Sequence, residues 1–203
     1  MLKIHTLPLG AYQTNCYILH AENAKSCVII DPGYASGMIL EFLAEKGLTA
    51  EAILLTHGHF DHVGAVKKLV EKTGCALWMH EADWSQKPGP ITATLFPLAN
   101  CNFCEVQFFE DHQVIPAAGL QLQVIATPGH TWGSVCFLCE DALFSGDTLF
   151  AGSCGRTDLG GDQDTLHRSL MALAEWETDR RVFPGHGEST TLAWEKRYNP
   201  YMR

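Results

Sequence analysis

Short apolar runs that end in turn residues recur along the chain and predict strands, the first two being "NCYILH" (Asn15 to His20) and "SCVIIDPG" (Ser26 to Gly33). A helix is expected next, because Met38, Phe42 and Leu43 fall at helical spacing before a closing Gly47. "AILLT" (Ala52 to Thr56) is continuously apolar, as in a strand buried on both faces. The polar stretch "HGHFDH" follows it directly, and Val63, Val66 and Val70, stopped by Gly74, predict a helix behind. The histidine cluster is therefore expected on a strand-to-helix loop. Lys87 to Asn102 contains three prolines and no period, and reads as a loop.

In the second half, "LQVIATPGH", "SVCFLCE" and "ALFSGDT" predict further strands, each running into or out of a polar turn. A helix is expected from about Asp162, with Leu166, Leu170 and Leu173 on one stripe, before a last strand and loop in "RVFPGHG". Strands and helices alternate in both halves. That implies a layered α/β domain spanning residues 1–203, with ligands bound at the carboxyl ends of its strands.

Composition narrows the function classes. At 203 residues and 46% hydrophobic, the chain is long enough to bury a sizeable core. A net charge of −9 without any Lys/Arg run argues against a nucleic-acid partner. No stretch approaches the roughly 18 apolar residues of a membrane span, and "MLKIHTLPLG" lacks the apolar run of a signal peptide. A cytoplasmic protein is expected, with its eight cysteines as reduced thiols.

The chemistry gathers on a few polar residues. His57 and His59 are two apart, so in an extended segment both side chains reach one face and can share an ion. Asp61 and His62 come after the chain turns and point to a neighbouring position. His130 in "TPGHTWGS", Asp147 in "FSGDTLF" and His186 in "FPGHGEST" stand after apolar strands, beside glycines that allow close backbone approach. Grouped, His57, His59 and His130 suit one ion, Asp61, His62 and His186 a second, and Asp147 can bridge them. Three protein ligands per ion leave a position open for water, as in catalytic sites. The donor set predicts two divalent ions, with zinc the first choice and iron or manganese also suited.

The competing reading is a polar loop of solvated histidines, and the glycine-flanked ligands after later strands weigh against it. His5, His20, His80, His112 and His167 are expected outside the site. Cys136 and Cys139 are three apart in a strand, hence on opposite faces, while "CNFC" (Cys101, Cys104) lacks a second pair to complete a zinc ribbon. Asp31 in "DPG" is expected to orient a ligand histidine, or else to serve as a turn residue.

"THGHFDH" with His130, Asp147 and His186 resembles the metallo-β-lactamase-fold hydrolases. "VIIDPG", "HGHFDHVGA", "ATPGHTWGS", "LFSGDTLF", "GSCGRTDL" and "FPGHGEST" are most similar to its glyoxalase II group, the hydroxyacylglutathione hydrolases. The resemblance implies a four-layered αββα sandwich with the metal pair at one edge. It also implies a thioesterase acting on S-lactoylglutathione or a related small thioester, in which a hydroxide bridging the ions attacks the carbonyl and Asp61 and Asp147 hold ions and hydroxide. Arg156 stands where the family places a lysine that contacts glutathione. Residues 187–203 alone follow His186, so the helical carboxyl-terminal domain of longer members is not expected.

"CGRTD" also resembles the persulfide dioxygenases of the same fold, which implies instead a single iron on His57, His130 and Asp147. For Arg156 and Asp158 the simpler alternative is a surface ion pair. A metal-binding protein without turnover is the non-enzymatic alternative, against which stands the presence of all seven ligands. The same scaffold also admits lactonase or β-lactamase chemistry.

Overall fold

The computed structural model describes residues 1–87 and 89–203. The first half contains β1 (Leu2–Leu9), β2 (Thr14–Ala21), β3 (Ser26–Ile30), α1 (Ser36–Lys46), β4 (Thr49–Leu54), α2 (Phe60–Val63), α3 (Val66–Thr73), β5 (Ala76–Met79), α4 (Glu81–Trp84), α5 (Pro90–Leu95) and β6 (Val106–Phe108). Its six strands form one sheet in the order β1 to β6, antiparallel as far as β3 and parallel beyond. The second half runs β7 (Val114–Ala117), β8 (Leu120–Ala126), β9 (Val135–Cys139), β10 (Ala142–Gly146), a hairpin of β11 (Leu149–Phe150) and β12 (Ser153–Cys154), α6 (Gln163–Ala174), β13 (Arg181–Pro184), β14 (Thr190–Thr191) and α7 (Leu192–Tyr198). Its sheet has the order β14-β13-β10-β9-β8-β7, parallel only between β10 and β13.

The two sheets face each other across a core that includes Tyr17, Leu19, Val28, Ile30 and Leu54 from the first half and Leu122, Val124, Phe137 and Phe144 from the second. Side chains alternate between strand faces, so Ile18, Ile29, Ile53 and Leu55 point the other way and are covered by Ile39 and Leu43 of α1 and by Val66 and Leu69 of α3. Leu166, Leu170 and Leu173 of α6, with Leu192 of α7, cover Leu143 and Val182 on the outer face of the second sheet. The result is the expected αββα sandwich. β4 is buried on both faces, and Cys136 and Cys139 fall in different cores on either side of β9. No helix among the described residues is long and apolar enough to cross a membrane.

Several local expectations need correction. The buried face of α1 is Ile39 and Leu43, while Met38 is 59% exposed, because the helix meets the sheet along its i, i+4 pair. The helix expected from Val63 is broken. Gly64 lies so close to Gly33 that a Cβ there would sit 2.3 Å from the Gly33 carbonyl, and the Ala65 N–H donates to Pro32 instead of continuing α2. Asp61 and His62 therefore ride on the short α2, not on a loop, and the buried stripe of α3 is Val66 and Leu69. The segment read as a loop from Lys87 to Asn102 contains α5, started by Pro90, whose missing N–H costs nothing at a helix N-terminus; Pro88 lies outside the described residues.

Candidate metal centre

Every expected ligand stands just beyond the carboxyl end of a strand: His57 to His62 after β4, His130 after β8, Asp147 after β10 and His186 after β13. The two sheets are tied together at this edge, since Asn15 N–H donates to Gly185 O at 2.8 Å and Val135 N–H to Thr56 O at 2.8 Å. The fold thus brings all seven residues together. His130 Nε2 lies 3.2 Å from His57 Nε2 and 2.9 Å from His59 Nδ1. His186 Nε2 lies 3.4 Å from His62 Nε2 and 3.2 Å from Asp61 Oδ2. Asp147 sits between the two groups, with Oδ1 3.3 Å from His62 Nε2 and Oδ2 3.5 Å from His130 Nε2 and 3.6 Å from His186 Nε2.

The outward ring nitrogens decide what the inward ones offer. His62 Nδ1–H donates to Asp31 Oδ2 at 2.9 Å, His130 Nδ1–H to Arg156 O at 2.6 Å, His186 Nδ1–H to Tyr12 O at 3.1 Å and His59 Nε2–H to Leu159 O at 3.2 Å. Thr56 commits its hydroxyl proton to Asp31 Oδ2 at 2.5 Å, so its oxygen accepts from His57 Nδ1–H at 3.1 Å. Each outer partner can only accept, which places the ring proton outside in the neutral imidazole. Five nitrogen lone pairs then point into one small space, together with two carboxylates. Asp147 Oδ1 is buried and has no hydrogen-bond partner. Such a convergence of acceptors is unfavourable without positive charge, and the donor set fits a pair of cations.

Charge is divided unevenly between the two triads. Burial, followed by the neighbouring histidines, holds His57 well below the usual imidazole range. Burial likewise lowers His59 and His130. Burial also opposes charge on His62, but Asp147 and Asp31 outweigh it and raise that residue, and Asp61 and Asp147 do the same for His186. The Asp147 carboxyl is held below the usual carboxylate range because His62 and His130 outweigh its burial. The first triad therefore stays neutral, while the second draws positive charge, as protons or as an ion.

Asp31, Thr56, His57 and His62 form one buried network, and Asp31 is kept at φ 49°, a left-handed conformation that aspartate tolerates. Asp31 also lies within metal-binding distance of His57 and His62, but both its oxygens already accept hydrogen bonds, so it orients the ligand and does not extend the set. Arg156 and Asp158 form an exposed bidentate pair at 2.6 and 2.5 Å, while the Arg156 backbone carbonyl steers His130. His5, His20, His80, His112 and His167 take no part. Among the described residues no metal-competent group contains a cysteine.

A cleft of about 430 Å³ opens over the centre, with Tyr12, Phe60 and Phe150 on its walls and Arg156 on its rim. Tyr12 and Phe60 meet edge to face at 5.3 Å and separate it from an apolar cavity of about 520 Å³ lined by Leu9 and Tyr34. Sequence reasoning missed Tyr12, Thr14 and Asp83. Thr14 donates to Asp61 Oδ2 at 3.3 Å, a contact across 47 positions that no local motif signals.

The metallo-beta-lactamase superfamily model matches residues 9–186. The hydroxyacylglutathione hydrolase GloC of Haemophilus influenzae is 34% identical over 209 residues, covering 99% of this chain and 98% of the relative. Among solved structures, TTHA1623 in a di-iron-bound form is 38% identical with a TM-score of 0.84, covering 97% of this chain and 99% of that one. The BLEG-1 B3 metallo-beta-lactamase is 35% identical with a TM-score of 0.81, covering 100% and 99%. The chain belongs to the metallo-beta-lactamase superfamily of metal-dependent hydrolases.

Proposed function

We propose that this chain is a thioester hydrolase of glyoxalase II type that cleaves S-lactoylglutathione or a related small thioester. The observation that carries the reading is the pair of three-residue sets sharing Asp147, with the outer nitrogen of every ring held by an acceptor. His57, His59 and His130 would hold one divalent ion, Asp61, His62 and His186 the other, and Asp147 would lie between them. Bound there, such a pair supplies an acidified water and an electrophile for an acyl oxygen.

The chain's own residues do the rest. Asp61 and Asp147, both ionised, accept hydrogen bonds from the attacking water and fix its approach. Asp61 is itself held by the Thr14 hydroxyl. Tyr12, Phe60 and Phe150 wall the cleft against bulk water, and the Arg156 guanidinium offers a cation at its rim to a carboxylate of the thiol half. The likeness to GloC supports the thioester class.

The test is hydrolysis of S-lactoylglutathione by protein of known metal content, followed as loss of thioester absorbance. Metal-dependent loss is expected, and no loss with metal bound would overturn the reading. A second reading, an iron-dependent persulfide dioxygenase, rests on "CGRTD" at Cys154 to Asp158, of which Cys154 and Arg156 line the same cleft. Oxygen uptake with glutathione persulfide separates the two, and a β-lactam counter-assay addresses the likeness to BLEG-1.

A further inference from the structure

Asp83 belongs to neither triad, yet it is 1% exposed and both of its oxygens are engaged by the loops that carry the first triad. Its Oδ2 accepts from the Gly58 N–H at 2.8 Å, and Gly58 separates His57 from His59. The same oxygen accepts from the Thr131 hydroxyl at 2.8 Å, next to His130, and Oδ1 accepts from the Gly133 N–H at 2.8 Å. One carboxylate on α4 thus fastens the β4–α2 loop of one half to the β8–β9 loop of the other.

The glycines around it leave room for this contact. A Cβ at Gly133 would sit 2.6 Å from Asp83 Cγ, and one at Gly58 would sit 3.1 Å from Asp83 Cβ. Thr131 is braced in turn by Ser134, which accepts from its N–H at 3.0 Å. The second triad has separate supports: Asp31 for His62, Thr14 for Asp61 and Tyr12 for His186. None of these three hydrogen-bonds to Asp83.

We infer that Asp83 is a positioning residue that sets the spacing of the His57/His59 loop from His130, and so governs metal affinity at the first triad selectively. The inference rests on the metal centre proposed above. Asparagine at this site keeps the volume but turns an amide N–H toward a donor, so at least one of the three contacts is lost.

The experiment is Zn²⁺ titration against a chromophoric chelator, with Asp83→Asn placed in two backgrounds. His186→Ala leaves only the first triad complete, and His59→Ala leaves only the second. In the first background Asp83→Asn is expected to weaken zinc binding by roughly 10- to 100-fold. In the second background no change is expected. Thr131→Val, which deletes one contact without touching the carboxylate, should act in the same direction, and Thr131→Ser, which keeps the hydroxyl, should restore wild-type affinity. If Asp83→Asn fails to fold, the Thr131 pair decides. Equal weakening in both backgrounds would mean a general structural role and overturn the inference, as would unchanged affinity in the first. A wild-type chain that binds no zinc would remove the proposed centre as well, an outcome distinct from both.

Discussion

Adding one methyl group at Gly185 tests the geometry of the centre directly. A Cβ there would sit 2.2 Å from Asp147 Oδ1 and 2.7 Å from His62 Cε1. The backbone cannot retreat, because Gly185 N–H donates to Gly146 O at 2.8 Å and Gly185 O accepts from Asn15 N–H at 2.8 Å. Relief must come from the carboxylate and the imidazole, and ordinary van der Waals separation requires about 1 Å of movement. Metal–ligand distances tolerate only about 0.2 Å, so Gly185→Ala should detach Asp147 from its place between the triads. A displacement of that size costs roughly 100-fold in kcat/KM, or about 2.7 kcal/mol.

The neighbouring Gly187 supplies the control. It has φ +79° and no atom within 4 Å of a built Cβ, so Gly187→Ala meets backbone strain and open space. That variant should lose about 1 kcal/mol of stability, a fall of about 2–4 °C in Tm, with turnover preserved. The assay is thioester hydrolysis with metal analysis and thermal melting on both variants. Full activity and full metal content in Gly185→Ala would refute the placement of Asp147.

Other outcomes follow from the same framework. Asp147→Asn should lower turnover by at least about 100-fold while the circular dichroism spectrum stays that of the wild type, since the shape is kept and the charge between the triads is lost. Asp31→Ala frees the His62 ring and should weaken zinc binding by about 10- to 100-fold, read by competition titration. Leu170→Ala opens a cavity under α6 and should cost about 2–5 kcal/mol in denaturant unfolding with zinc stoichiometry unchanged. Chelator treatment should lower Tm reversibly, because an ion at 100 times its Kd contributes about 2.7 kcal/mol to the folded state.

The candidate centre was legible in the sequence because its residues share a local signature: an apolar strand, a glycine and a ligand. His130, Asp147 and His186 carry it individually, and the convergence of all seven follows from strands delivering their ends to one edge. Helix faces were less legible. Met38 and Ile39 are adjacent and both apolar, and only the sheet surface beneath α1 decides that Ile39 is buried. The break at Gly64 depends on Gly33, which lies 31 positions away, and no window over the helix could reveal it. Asp83 did carry a weak signal, since "MHEAD" repeats the pattern of an apolar strand running into polar residues. Its partners on two other loops exist only in the folded chain.

The division of the centre between two halves has a consequence for the life of the molecule. His57 to His62 come from the first sheet, and His130, Asp147 and His186 from the second, so an occupied centre rivets the halves together and a vacant one leaves them joined by weaker contacts at that edge. Any opening that parts the sheets would first have to release metal bound there. Proteolysis of such a chain samples its transiently opened forms, so the population available to a protease falls as metal supply rises. Metal scarcity would then lower the amount of enzyme as well as its activity, coupling turnover of the protein to the nutrient its chemistry requires.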